Sequence, residues 1–301
     1  MKMNWIKQFE NRFLEVVEWL PSINTLSFSG GIESSAILFA MMKTHKESPF
    51  ECVTFKVGGE ETKDTYFARK ICDYYGTPLE VVDIPIKSRA ELIEEVREII
   101  DIIGIARNID IQACHAFRYM LPETSSVHIT TGFYEDIHYE ANKMLSMMYN
   151  NVKKNIVSRP YFDEFYRVGR QCIYNGTTRA GTIHNYKTIE KYIKSHRKKL
   201  HCPFKDYKLF EITQALTYDE TNFYKGKFKK KWFITQAIFK EEFAIHGNAR
   251  NSNNMHTQGM KQYHRKVLLE GTNFKDTISV YNRIKKGTGE YGKKDAAVAI
   301  F

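Results

Sequence analysis

No stretch of this 301-residue chain reaches the roughly 18 consecutive apolar residues that a membrane-spanning helix needs, so no membrane partner is expected. The first residues, Met1-Lys2-Met3-Asn4-Trp5, lead into an amphipathic pattern and lack the apolar core of a secretory signal. Cysteine is sparse. Cys52, Cys72, Cys114, Cys172 and Cys202 stand singly, without a Cys-x-x-Cys pair, so zinc or cluster spacing is missing. An odd count in a chain this long also argues against a disulfide framework, and reduced thiols in a cytosolic setting are expected. The ten histidines form no His-Glu-x-x-His pattern, and Gly-x-Ser-x-Gly is absent, so neither a zinc protease nor a serine-hydrolase triad is indicated. Proline is scarce beside abundant Lys, Asn, Ile and Tyr, a balance that suits a phage or an AT-rich bacterium.

What is present is uneven in charge. Residues 1–150 carry 15 Lys and Arg against 22 Asp and Glu, whereas residues 151–301 carry 30 against 13. The basic half suits an anionic partner, such as nucleic acid, a nucleotide or an acidic surface; a Lys-rich solvated face is the plainer alternative.

Periodicity supplies the fold class. Trp5, Ile6, Phe9, Phe13, Val16, Val17 and Leu20 recur at helical spacing up to Pro21. β-Prone runs at 23–28, 52–57, 79–84 and 126–131 alternate with helical stretches at 65–75, 90–103 and 109–120. Such alternation predicts an α/β fold with a parallel sheet covered on both faces. Beyond residue 150 the alternation fades into a polar, basic region. A helical pattern at 137–149 precedes that region, helical patterns return at 210–216 and 231–243, the stretch from Gly247 to Met260 reads as a loop, and Gly287 to Lys294 reads as a mobile end. The expected organisation is a helix over 1–20, an ATP-binding α/β domain over 21–150, a basic and mainly helical substrate or closure region over 151–270, and a tail over 271–301.

Ser29-Gly30-Gly31-Ile32-Glu33-Ser34-Ser35 lies between the first strand and the next helix. Ligands of open parallel sheets bind at the carboxyl ends of strands. Adjacent glycines permit close backbone approach and positive φ, and a helix N-terminus offers free N–H groups to phosphate. Glu33 in such a loop repels phosphate unless a cation intervenes, which points to Mg²⁺. The plainer reading is a strand-to-helix turn with a serine cap. The loop lacks the Gly-Lys-Ser/Thr of a Walker motif and the third glycine of a dinucleotide fingerprint.

Those residues carry a resemblance. Ser29-Gly30-Gly31-Ile32-Glu33-Ser34 resembles the Ser-Gly-Gly-x-Asp-Ser pyrophosphate loop of the PP-loop ATP pyrophosphatases, with Glu in place of Asp. Three more segments resemble the synthetase domain of asparagine synthetases, in that family's order. They are Thr54–Glu61 with Asp64–Lys70, Thr130-Thr131-Gly132-Phe133-Tyr134-Glu135-Asp136, and Cys202-Pro203-Phe204-Lys205-Asp206-Tyr207-Lys208-Leu209-Phe210-Glu211. The likeness covers roughly residues 20–265. It departs where Phe133 and Tyr134 replace an acid and a glycine of the family's Gly-Glu-Gly-x-Asp-Glu loop, and where Ile137 replaces the acid after Asp136.

The resemblance implies a five-stranded doubly wound sheet of the PP-loop type with a helical C-terminal extension, ATP and Mg²⁺ as cofactors, and adenylation of a carboxylate or carbonyl with release of pyrophosphate. It implies nucleotide contacts from Ser27, Phe28, Ser29, Gly30, Gly31, Ile32, Glu33, Ser34, Ser35, Val53, Phe55 and Gly132, a metal held by Glu33 and Asp136, and catalytic parts for Asp136, Glu135 and Lys261. Lys231 has a weaker claim as an active-site lysine. The side chains of Phe28 and Phe55 suit plain sheet core, and Asp136 alternatively caps the next helix. His138 follows the acidic loop, where a structural role is the commoner outcome. No counterpart of the glutaminase domain of asparagine synthetases is expected, since the cysteine it needs is missing from the first fifty residues. Ammonia or an amine is therefore the expected nitrogen donor, with small carboxylate and amine substrates. The altered acidic loop leaves open two alternatives: a PP-loop enzyme acting on a nucleic-acid base, with the run Lys225–Trp232 and Lys187–His201 as its groove, or a nucleotide-binding protein without turnover. A homodimer is likewise left open.

Overall fold

The computed structural model describes residues 4–45, 50–139, 143–175, 185–229, 231–246 and 259–287. The first helix, α1 (Asn4–Glu18), turns Phe9, Phe13 and Val17 inward, as the helical spacing of its apolar residues requires. Then come β1 (Asn24–Ser27), α2 (Ile32–Thr44), β2 (Phe50–Val57), α3 (Lys63–Tyr75), β3 (Leu79–Ile84), α4 (Arg89–Ile103), α5 (Asn108–Met120) and β4 (His128–Thr130). Local chemistry sets these boundaries. Thr62 with Thr65, and Ser88 with Glu91, form capping boxes that start α3 and α4. Gly76 at φ 64° and Gly104 at φ 77° end them in the left-handed conformation.

After β4 the chain leaves the sheet through α6 (Asp136–Tyr139), α7 (Lys143–Lys153), α8 (Arg159–Tyr174) and α9 (Asn185–Ser195), and returns as β5 (Lys199–His201). The order β3-β2-β1-β4-β5 is parallel throughout, so the five-stranded doubly wound sheet is the observed fold. The chain then forms α10 (Tyr207–Gln214), α11 (Tyr218–Asn222), the hairpin strands β6 (Phe223–Tyr224) and β7 (Lys227–Phe228), α12 (Lys240–His246), α13 (Met260–Leu269) and α14 (Thr277–Lys286). Among the described residues, no helix is long and apolar enough to cross a membrane.

The sheet separates two cores. One face packs Leu26, Phe28 and Cys52 against α1, α2, α3 and α10. The other packs Val53, Phe55 and Val57 against α4, α5, α9, α13 and α14. A third cluster joins Leu145, Phe162, Tyr166 and Tyr218 from α7, α8 and α11. Within it, Tyr166 stacks beneath the buried Arg170, whose guanidinium donates to the carbonyls of Thr213, Gln214 and Leu216 at 2.7, 2.9 and 3.0 Å. These bonds satisfy the open carbonyls at the end of α10 with a cation, which a helix C-terminus favours.

Several boundaries differ from the sequence reading. The single helix at 137–149 is two helices, α6 and α7. The helix at 231–243 is broken: Ile234–Ile238 winds as a π turn, Phe239 leaves helical geometry, and α12 starts afresh. The basic region contributes β5 to the sheet and α9 to its face, where Ile189, Tyr192 and Ile193 of α9 are buried among its lysines. The tail begins with an ordered helix, since Val280 and Tyr281 of α14 are fully buried. Residues 247–258 and 288–294, read as loop and mobile end, lie outside the described residues.

Candidate active site

The site opens where β1, β2 and β4 end. From β1 the chain passes through Ser29-Gly30-Gly31 into α2, and Ser35 N–H donates to Gly31 O at 2.9 Å as the helix closes its first turn. The N–H groups of the residues before Ser35 precede that first bond and have no partner within the helix. Gly31 is extended at φ −73°, and only Gly30, at φ 66°, uses the positive φ that the paired glycines allow. Gly30 faces α3: a Cβ there would stand 2.8 Å from Ala68 N and from Phe67 Cβ. Its need for glycine is therefore close packing of loop on helix. The serines are tied into the loop. Ser29 N–H donates to Ser34 Oγ at 3.3 Å, and Ser34 Oγ lies 3.3 Å from Gly31 O.

The second loop, after β4, crosses directly over the first. A Cβ on Gly132 would lie 2.7 Å from Glu33 Cβ and 3.2 Å from Ser34 N. Two residues on, Tyr134 adopts φ 74°. The resemblance places a glycine at this position, and the backbone keeps the glycine conformation with a tyrosine in it. Left-handed geometry costs a non-glycine residue about 1–2 kcal/mol. The Tyr134 ring offsets this: it is 1% exposed, 4.4 Å from the Tyr186 ring, and lies under Lys205 Nζ at 4.8 Å. Ile137, in place of the family's second acid, is fully buried in the α1–α2 core, where a carboxylate would be desolvated. Phe133 lies against Tyr186 at 5.1 Å, nearly parallel.

Between these loops is a cleft with an empty volume of about 1040 Å³, its open mouth included. Ser27, Phe28, Val53, Thr54, Phe55, Thr131 and Gly132 line the strand ends. Ile109, Ala113, Met120, Phe133, Tyr186 and Ile189 form an apolar lobe. Ser29, Glu33, Ser34, Asp64, Glu135 and Lys231 form a charged one. Lys231 reaches in from the turn before the π segment, itself held at φ 61°. Its ammonium ion-pairs with Glu33 and stands 4.0 Å from Glu135. Burial pushes Lys231 down from 10.5 to about 7, because the cation has lost water. The contact with Glu33 works in the opposite direction.

Of the residues expected here, Ser27, Phe28, Ser29, Glu33, Ser34, Val53, Phe55, Gly132 and Glu135 line the cleft. Gly30, Gly31, Ile32 and Ser35 are not on its wall, and Ser35 is fully buried in α2. Asp136 begins α6, and its side chain lies outside the described residues. Lys261 is exposed on α13 and does not line the cleft, so the lysine placed here is Lys231. Lys261 follows a stretch whose apolar pattern is too weak to fix its register, whereas Lys231 precedes an apolar run that locks into the core. Asp64, quoted only within a resemblance, is a further acid of the cleft; it sits in the first turn of α3, where the capping box at Thr62 foreshadows it. His138 does not face the cleft. It is fully buried, with Nε2 2.8 Å from Phe204 O and Nδ1 2.9 Å from Thr213 Oγ1.

A parallel sheet in this order, with a glycine loop and acidic side chains at its carboxyl end, is the doubly wound α/β architecture that the PP-loop resemblance implies. The family model described as asparagine synthase matches residues 25–130, from within β1 to the last residue of β4. No curated protein matches the chain. Among solved structures, the U34-tRNA thiolase NcsA from Methanococcus maripaludis with its 4Fe-4S cluster is similar at 13% identity and a TM-score of 0.34, over 94% of this chain and 80% of that one.

Proposed function

We propose that the chain is an ATP-dependent enzyme that adenylates a carboxylate or carbonyl oxygen, releases pyrophosphate, and passes the activated group to an amine or ammonia. The observation that carries this reading is the convergence of the α2 N-terminus, Glu33, Glu135 and Lys231 on one cleft whose other lobe is apolar. An apolar lobe suits a purine ring, and the charged lobe suits a triphosphate.

The donor set fits Mg²⁺. Glu33 and Glu135 supply hard oxygens beside one cation, the Lys231 ammonium. Among the described residues, no cluster of three ligating side chains exists that could hold a metal alone. Mg²⁺ in nucleotide sites is commonly held by one or two carboxylates plus substrate phosphates. When bound, the ion would neutralise phosphate charge.

The residues of the chain account for the rest. The α2 N-terminal amides face anionic oxygens with the positive end of the helix dipole. Lys231, released from Glu33 as phosphate arrives, supplies a charge to the departing pyrophosphate. No protein nucleophile is needed, because the substrate oxygen attacks the α-phosphorus and the protein positions it. Burial of Phe28 and Phe55, at 1% and 2% exposure, keeps their rings in the sheet, so the nucleobase would meet strand backbone. Phe133 removes an acid from the cleft wall, which disfavours an amino-acid ammonium such as that of aspartate.

The test is release of pyrophosphate from Mg-ATP across a panel of carboxylates, amides and amines. Release with one acceptor, abolished in Glu33→Ala, supports the proposal. Tight ATP binding with no release from any acceptor sinks it and favours a nucleotide-binding protein without turnover.

A further inference from the structure

The hairpin leading into Lys231 is built as an exposed arm. It turns at Lys225 and Gly226, both left-handed at φ 50° and 75°, the conformation of a two-residue type I′ turn. Phe223 pairs with Phe228, Tyr224 pairs with Lys227, and Lys229 N–H donates to Asn222 O at 2.8 Å. Its base is fixed. Tyr224 stacks on Trp232 at 5.3 Å, and the Trp232 indole N–H donates to Glu220 O at 3.2 Å.

The arm carries charge with no counter-charge. Lys225, Lys227 and Lys229 alternate along it, and among the described residues none makes an ion pair, whereas Arg12, Arg118, Arg159 and Arg167 each do. Lys153, also without an ion pair, adds a fourth cation at the base, 5.4 Å from the Phe223 ring. Period-two geometry puts Lys227 and Lys229 on the face of Tyr224, opposite Phe228, and the chain lines the cleft two residues past Lys229 with Lys231. Phe228, 51% exposed, lies on the other face, edge-on against Phe223 at 5.6 Å, where Lys153 also stands. Unneutralised cations on both faces of a narrow ribbon, with an exposed aromatic ring on one of them, match what binds a single nucleic-acid strand: phosphates follow the lysines along the ribbon and a base stacks on the ring. An acidic peptide would use the charges and leave the ring idle.

We propose that the β6–β7 hairpin docks the phosphate backbone of a single-stranded nucleic acid and presents one of its nucleotides at the mouth of the cleft. This makes a nucleotide the acceptor class and rests on the ATP-site reading for that placement alone; the docking itself does not depend on it.

The experiment is fluorescence anisotropy of labelled oligoribonucleotides and oligodeoxyribonucleotides with the full chain, without ATP, from about 50 to about 200 mM salt. The Lys225→Ala/Lys227→Ala/Lys229→Ala variant should lose three phosphate contacts, flattening the log–log salt slope by about 2, at roughly 0.7 per contact on a single strand. Phe228→Ala should weaken binding about tenfold with the slope unchanged. An unchanged thermal midpoint shows that the variants fold. An unaltered slope in the triple variant overturns the proposal, as does competition by polyglutamate at the oligonucleotide's own efficiency. Absence of oligonucleotide binding, with ATP-dependent pyrophosphate release intact, overturns it and leaves the ATP reading standing. Binding with the expected slopes but no pyrophosphate release from any acceptor supports docking while removing the ligase reading.

Discussion

Substituting Gly132 by alanine tests the geometry that joins the two loops of the cleft. The added Cβ would lie 2.7 Å from Glu33 Cβ, and ordinary contact begins at 3.4 Å, so β4 or the start of α2 must yield by about 0.7 Å. Neither side gives easily. Glu33 Cβ is fixed to the helix backbone, and Ser34 N, 3.2 Å away, belongs to the same turn. Gly132 does not need the left-handed region, so the effect is steric. Overpacking of this kind costs about 1–3 kcal/mol. At about 2–4 °C per kcal/mol, the melting midpoint should fall by a few degrees to about 10 °C. Function should suffer more than stability. Displacing a positioning group by about 1 Å can cost on the order of 100-fold in rate, so pyrophosphate release should fall by about that factor. Gly271→Ala is the control. Its φ is 69° with nothing within 4 Å, so it carries backbone strain of about 1 kcal/mol and should leave turnover unchanged. Calorimetry and a coupled pyrophosphate assay read both quantities. Wild-type release by Gly132→Ala would show that the glycine loop and Glu33 do not form the reacting site.

Three other substitutions follow from the same geometry. Lys231→Met should lower pyrophosphate release by about 100- to 1000-fold while the fold persists, since it removes the cation aimed at the charged lobe; equal turnover in steady-state kinetics would remove Lys231 from the reaction. Tyr134→Gly relieves about 1–2 kcal/mol of left-handed strain but deletes a ring that is 1% exposed, worth about 3–5 kcal/mol by analogy with large aromatic deletions. Denaturant unfolding should therefore show a net loss of about 2 kcal/mol, and a gain would mean that strain dominates. His138 is pushed down from 6.5 to about 3 by burial, so above pH 6.5 the ring is neutral in both states and its contribution to stability is complete. As pH falls from 6.5 towards 3, the unfolded chain binds a proton that the folded chain does not, and stability should drop by about 1.4 kcal/mol per unit. Unfolding of wild type and His138→Gln between those limits measures the difference, and parallel pH profiles would refute it.

The order of elements up to β4 was legible in the sequence because local signals agreed with the fold. Apolar runs alternate with helical spacing, and Thr62, Ser88, Gly76 and Gly104 mark helix ends by their own hydrogen bonds or φ angles. The loop at Ser29–Ser35 was legible for the same reason, since strand, glycines and helix start are consecutive. Glu33, Gly132 and Glu135 were named from the chain and meet in the cleft. What the sequence could not convey is contact between residues far apart along it. Lys231 reaches Glu33 across almost two hundred residues, through a turn at φ 61° that no local pattern announces, while Lys261 offered a better motif and lies outside the cleft. The basic region hid α9 because its buried tyrosines and isoleucines are spaced among exposed lysines, and it hid β5 because that strand is three residues, Lys199-Leu200-His201, too short to show alternation. Residue types and their spacing thus determined the sheet, its turn chemistry and most of the cleft wall. Burial decided the rest, because only packing could show which lysine loses its water beside two acids and which glycine is pressed against its neighbour.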